Sequence, residues 1–136
     1  MTADRPIPDA LTVRVYYEDT DLAGIVYYAN YLKFIERGRT EFVRARGIDQ
    51  AQLKEEQGIV FAVRRVEADY LLPARFDDLL TVETSVTDLK GASIVMDQIV
   101  RRGEVTLFAA KVTLVCLNGA GRAQRMPEMV RAALSR

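Results

Sequence analysis

Residues 17–46 read YEDTDLAGIVYYANYLKFIERGRTEFVRAR, and the change of pattern inside this stretch decides the fold. Its first half is a polar turn with a single glycine. From Ala29 to Arg46, Tyr31, Phe34, Ile35, Gly38, Phe42 and Ala45 recur at helical spacing. Lys33, Glu36, Arg37, Arg39, Glu41 and Arg44 fill much of the rest, so one face is apolar and the other charged. The spacing predicts a long amphipathic helix. Glycine inside a helix costs about 1 kcal/mol relative to alanine, so Gly38 on the apolar face predicts close approach to a neighbouring backbone. Gly47 supplies the C-terminal stop.

On either side the period is two. Leu11 to Tyr17 (LTVRVYY) is β-branched and aromatic and predicts a strand ended by Glu18-Asp19-Thr20-Asp21. Downstream, Asp49 to Gln57 predicts a short capped helix closed by Gly58. Strands are predicted at Ile59 to Tyr70, Leu79 to Asp88, Ser93 to Arg101 and Val105 to Asn118, the last two joined through Arg102-Gly103. Pro127 opens a final helical turn or two. A long early helix followed by strands on short turns implies an α+β architecture, an antiparallel sheet of about five strands with the helix on one face. One helix cannot cover both faces and both edges of such a sheet, so self-association is expected. Residues 1–10 (MTADRPIPDA) read as a loose arm without a signal-peptide core, and 11–136 as a single domain.

Composition narrows the chemistry. The chain has 136 residues, and its 19 Lys plus Arg balance 19 Asp plus Glu, which removes the basic footprint that nucleic acid or an anionic membrane surface requires. No run of about 18 apolar residues exists, so no membrane span is expected. The chain has no histidine, which excludes Ser-His and Cys-His pairs, imidazole metal sites and histidine bases. The single Cys116 lies in an apolar run, reads as a small buried hydrophobe and suits a reducing cytoplasm. Catalysis is left to carboxylates, amides, hydroxyls or lysine, and no metal or cofactor is expected.

The segment Tyr17 to Tyr31 concentrates three carboxylates, a glycine and four tyrosines. A solvated acidic turn with helix-capping side chains accounts for it on composition. The alternative starts from the helix. Its first N–H groups have no helical partner and sit at the positive end of the macrodipole, where an oxyanion is stabilised. The amide of Tyr28 or Ala29 is such a donor. A carboxylate on the same loop could attack a polarised thioester carbonyl or activate water beside it, a route to acyl transfer that needs no histidine. Asp19 and Asn30 read as local hydrogen bonders, and Glu41 as a solvated charge or ion-pair partner.

The run YYEDTDLAGIVYYANYLKFIERGRTEF, supported by FAVRRVEADYLLPARFDDLLTVETSV, resembles the signature of the hotdog-fold acyl-CoA thioesterases of the 4-hydroxybenzoyl-CoA thioesterase and YbgC-like group. In particular it is similar to the branch associated with the Tol-Pal envelope system. The resemblance implies a sheet wrapped around the long helix, and a cytoplasmic homodimer or homotetramer that hydrolyses an acyl-CoA. It implies that Asp21 is the catalytic carboxylate, nucleophile or general base, and that the Tyr28 backbone N–H polarises the thioester. Gly24, on the same turn, is expected to bind substrate. Many YbgC-like members carry histidine where this chain has Tyr28, a change that preserves an amide role and removes an imidazole one. The resemblance points to the Lys90-Gly91-Ala92-Ser93 turn, with Lys90 and Ser93, for the nucleotide end of coenzyme A, and to Arg64 or Arg65, which strand alternation places on opposite faces. Hotdog dehydratases are disfavoured because they use histidine. A non-catalytic scaffold that binds acyl carrier protein or envelope and phospholipid-synthesis partners is the alternative.

Overall fold

The computed structural model describes residues 9–135. The expected arm falls outside the described residues apart from its last two. Asp9 accepts the Thr84 N–H at 3.0 Å and pairs with Arg46 at 2.8 Å, and Ala10 opens the first strand.

That strand, β1, spans Ala10–Arg14 and stops three residues before the expected end. The reason is competition for its amides. Val15 N–H donates to the Asp78 carbonyl, and Tyr16 N–H to the Asp19 carboxylate at 2.8 Å, which folds Tyr17–Asp19 into a 3-10 turn. Helix α1 follows at Asn30–Ala45. It buries Tyr31, Phe34, Ile35, Gly38, Phe42 and Val43; Ala45, expected on the apolar face, is exposed, and Val43 takes the buried position instead. Gly38 packs where no side chain fits, since a Cβ there would lie 2.7 Å from Val82 Cγ1 and 3.2 Å from Thr84 Oγ1.

Helix α2 spans Gln50–Gln57, with the Asp49 carboxylate accepting the Gln52 N–H and Gly58 in the left-handed region. Strands β2 (Val60–Tyr70), β3 (Leu79–Leu89), β4 (Ser93–Arg102) and β5 (Val105–Leu117) complete one antiparallel sheet in the order β1-β3-β4-β5-β2. Its helix-facing side supplies Leu80, Val82, Ile94, Met96, Val100, Val112 and Leu114 to a single core with Phe34, Ile35 and Phe42. Helix α3, Glu128–Leu134, closes one end of that core with Val130, Ala133 and Leu134.

One strand departs from this pattern. Among the described residues β2 pairs only with β5 and is open over most of its length, with Val60, Val63, Val66 and Tyr70 among the exposed apolar residues. Its ladder skips Arg64: Val63 faces Leu114 and Arg65 faces the adjacent Thr113. The alternation that would set Arg64 and Arg65 on opposite faces is interrupted by this bulge, so it does not assign their faces.

Candidate active site

The loop between β1 and α1 is held by bonds within itself and to one other part of the molecule. Thr20 bridges Val26 and Ile25 bridges Arg75, while Val26 N–H donates to Ala74 O at 2.8 Å. The loop is thereby sewn to the connection between β2 and β3. Within it, Asp21 N–H donates to Ile25 O at 2.9 Å, and Gly24 N–H to Asp21 O at 3.0 Å. Gly24 adopts φ of 80°, the left-handed conformation that closes this tight turn at little steric cost in glycine.

The two aspartates of the loop part company. Asp19 is 7% exposed, and both its carboxylate oxygens are used, one by Tyr16 N–H and the other by Asn30 Nδ2 at 2.9 Å. Its carbonyl also accepts Tyr27 N–H at 2.9 Å. Asp19 and Asn30 therefore clamp the entrance of α1. Asp21 is exposed; its Oδ1 accepts Ala23 N–H at 2.9 Å, and its Oδ2 accepts nothing among the described residues.

Above this turn the helix begins. Asn30 N–H is taken by Tyr27 O and Leu32 N–H by Ala29 O, but no acceptor meets the N–H of Tyr28 or Ala29 among the described residues. The Tyr28 side chain is 62% exposed and its carbonyl accepts Tyr70 Oη at 2.9 Å. Tyr70 comes from the end of β2, so the last residue of the open strand is tied to the first residues of the helix. Sequence reasoning did not single out the aromatic cluster that makes this joint. Tyr31 stacks on Phe108 with centroids 4.9 Å apart, and Tyr70 meets both rings edge-on. Burial pushes the Tyr31 hydroxyl above its ordinary pKa against the opposing pull of its hydrogen bond from Ala74 N–H. Burial likewise raises Tyr70, with Tyr28 and Tyr31 adding to it. The available signal was an aromatic residue ending a strand just before Leu71-Leu72-Pro73.

The remaining candidates lie elsewhere. Lys90 and Ser93 bracket the β3–β4 turn, where Lys90 N–H donates to Ser93 O at 2.9 Å and Arg131 donates to the Lys90 carbonyl. Gly91 O accepts Met126 N–H at 2.9 Å, which ties the turn to the chain before α3. The Lys90 ammonium is exposed, 3.8 Å from Asp88. Arg65 pairs with Glu67, and Glu41 pairs with Arg44 on the outer face of α1. Cys116 is fully buried in β5, and burial pushes its thiol upward in pKa, away from the nucleophilic thiolate. No group of three or more Cys, Asp or Glu able to hold a metal ion occurs among the described residues, and no helix there is long and apolar enough to cross a membrane.

An exposed carboxylate with a free oxygen and unpaired amides at a helix start therefore share one short, tightly tethered loop. Comparison with known proteins places the chain in a family. The model of the thioesterase superfamily matches residues 23–109, a stretch that begins just after Asp21 and includes Gly24, Tyr28, Lys90 and Ser93. The acyl-CoA thioesterase YbgC of Haemophilus influenzae is 45% identical over 122 residues, covering 89% of this chain and 90% of that protein. The acyl-CoA thioester hydrolase YbgC of Escherichia coli is 44% identical over 107 residues, 78% of this chain and 79% of that one. The crystal structure of a probable thioesterase from Bartonella henselae matches with a TM-score of 0.83 at 40% identity, over 87% of this chain and 98% of that chain. With its five-stranded antiparallel sheet packed on α1, this chain belongs to the thioesterase superfamily and has the hotdog fold.

Proposed function

We propose that the protein is an acyl-CoA thioester hydrolase, releasing a free acid and coenzyme A, with Asp21 as its catalytic carboxylate and the Tyr28 backbone amide as its oxyanion donor. The observation that carries the reading is the pairing within one loop of a carboxylate whose Oδ2 is unengaged and a helix-start amide without an acceptor among the described residues. The YbgC relatives supply the substrate class.

The sequence of events follows from charge. The thioester carbonyl accepts from Tyr28 N–H, and the macrodipole of α1 adds to the polarisation of that C=O. Asp21 either attacks the carbonyl carbon or takes a proton from water that attacks it; in both cases the carbonyl π pair moves to oxygen. Collapse of that oxyanion expels the coenzyme A thiolate, which is then protonated. If Asp21 is the nucleophile, water next cleaves the acyl-aspartyl anhydride. Gly24 shapes the turn that aims Asp21, and Lys90 and Ser93 receive the nucleotide end of the substrate, where an exposed ammonium suits a phosphate.

The working enzyme is a homo-oligomer, at least a dimer and in its larger form a dimer of dimers. The unpaired edge of β2 and its exposed Val60, Val63 and Val66 support this reading, because an isologous pair of such edges satisfies the free ladder groups of both copies. The free buried thiol of Cys116 suits the reducing cytoplasm to which we assign it. The deciding experiment is thiol release over short, long and aromatic acyl-CoAs, with Asp21→Asn as control and a pull-down with acyl carrier protein alongside. Turnover by the wild type that the folded Asp21→Asn lacks supports the reading; carrier-protein binding without thiol release from any substrate supports the scaffold instead.

A further inference from the structure

Between α1 and the β4–β5–β2 part of the sheet lies a cavity of about 190 Å³, floored by Phe61, Ile94, Met96 and Leu114. Its helix wall is not apolar: Glu36 and Arg39 stand in it. Arg39 is half-buried, and burial lowers its pKa. It is anchored from behind, Nη1 donating at 3.0 Å to Oε1 of Gln98. Gln98 is completely buried and itself fixed, its Nε2 donating to Ile35 O at 2.8 Å and Thr84 Oγ1 at 2.9 Å. Among the described residues no carboxylate lies within 4 Å of the Arg39 guanidinium, and its remaining N–H groups have no acceptor. Glu36 accepts from Thr40 Oγ1 at 3.2 Å, leaving its second oxygen available.

A guanidinium is an expensive lining for a cavity that takes only hydrocarbon. Within one chain the cavity is far from the Tyr28 amide: Phe61 and Tyr70 stand at opposite ends of β2, about 30 Å apart at strand rise. A two-fold antiparallel pairing of whole β2 edges sets the Val60 end of one copy beside the Tyr70 end of the other. The cavity then lies beside the loop of a second copy.

We propose that this cavity receives the distal part of the acyl group and that Arg39 is a specificity-determining residue, selecting acyl chains that carry a hydroxyl at their far end. This rests on the thioesterase reading and on the β2 pairing. A hydroxyl oxygen accepts from Arg39 while its proton is donated to Glu36, so both charged groups gain a partner. A terminal carboxylate gains Arg39 but meets the like charge of Glu36 beside it, and a plain alkyl end covers the guanidinium without bonding it.

The test compares kcat/KM for butanoyl-, hexanoyl- and octanoyl-CoA with their terminally hydroxylated counterparts, in wild type, Arg39→Met and Arg39→Lys. At the chain length that fits best, the wild type should favour the hydroxylated member by about tenfold, the worth of one hydrogen bond to a charged group. Arg39→Met should bring that ratio to about one, and Arg39→Lys should restore part of it. Equal turnover of both members of every pair by the wild type overturns the proposal, as does a parallel loss on both substrates in Arg39→Met that is folded. Should Arg39→Met not fold, the wild-type ratio and the Lys variant decide. Absence of thiol release from every acyl-CoA counts against the thioesterase reading; release without discrimination counts against Arg39 alone.

Discussion

The two halves of the loop between β1 and α1 use the same residue type for opposite ends. In the first half Asp19 is drawn inward and spends its oxygens on Tyr16 N–H and Asn30 Nδ2. In the second, two residues on, Asp21 sits at the rim of a tight glycine turn with one oxygen uncommitted. The difference teaches that an exposed carboxylate is presented by a buried one: the inward acid fixes the backbone on which the outward one is displayed.

Replacing Asp21 by Asn tests that division most severely. Turnover of any accepted acyl-CoA should fall at least about a hundredfold while the melting temperature holds, since general base or nucleophile chemistry is lost and no packing changes. Near-normal hydrolysis by the folded variant would remove Asp21 from the mechanism. A charge on the open strand comes next: Val66→Lys, near the middle of β2, should weaken self-association by about tenfold or more, because two ammonium groups approach across the paired edge. Light scattering at several concentrations reads this, and an unchanged mass would show that copies meet elsewhere. Asp19→Ala should cost about 2 kcal/mol by orphaning two donors, roughly 8 °C in a chain of this size. Activity should fall with it only as far as the loop loosens, so a stable Asp19→Ala that is as dead as Asp21→Asn would reverse the two roles. The smallest effect is expected at Tyr28→Phe, within about threefold on kcat/KM, because the proposed donor is the backbone and an exposed hydroxyl is removed. A loss comparable to that at Asp21 would transfer the role to the side chain.

Much of the architecture was legible because it is written in periods. Helical spacing from Tyr31 to Phe42 marked α1, and alternation marked β3 and β4, where Ile94, Met96, Gln98 and Val100 all turn inward. Gly38 announced a close approach, and the neighbours that leave no room for a Cβ there are the side chains of Val82, Gln98 and Thr84 rather than the backbone expected. The misreadings occur where local rules compete. The first strand ends at Arg14 because Asp19 captures the Tyr16 amide, a side-chain bond that propensity does not weigh. Alternation across Arg64 and Arg65 breaks at a bulge. In the last turn of α1 Val43 is buried and Ala45 exposed, the reverse of the expectation for Ala45.

The candidate site divides the same way. The order of residues fixed the acidic turn, the glycine and the helix start, together with the absence of imidazole, and so the kind of chemistry open to the chain. Which acid is buried, that Tyr70 reaches from the end of β2 to the Tyr28 carbonyl, and that Arg39 faces a cavity from a buried glutamine were decided only by tertiary structure. Periodicity is a property of neighbours along the chain, whereas burial and orientation depend on which distant segments compete for the same donors and the same space.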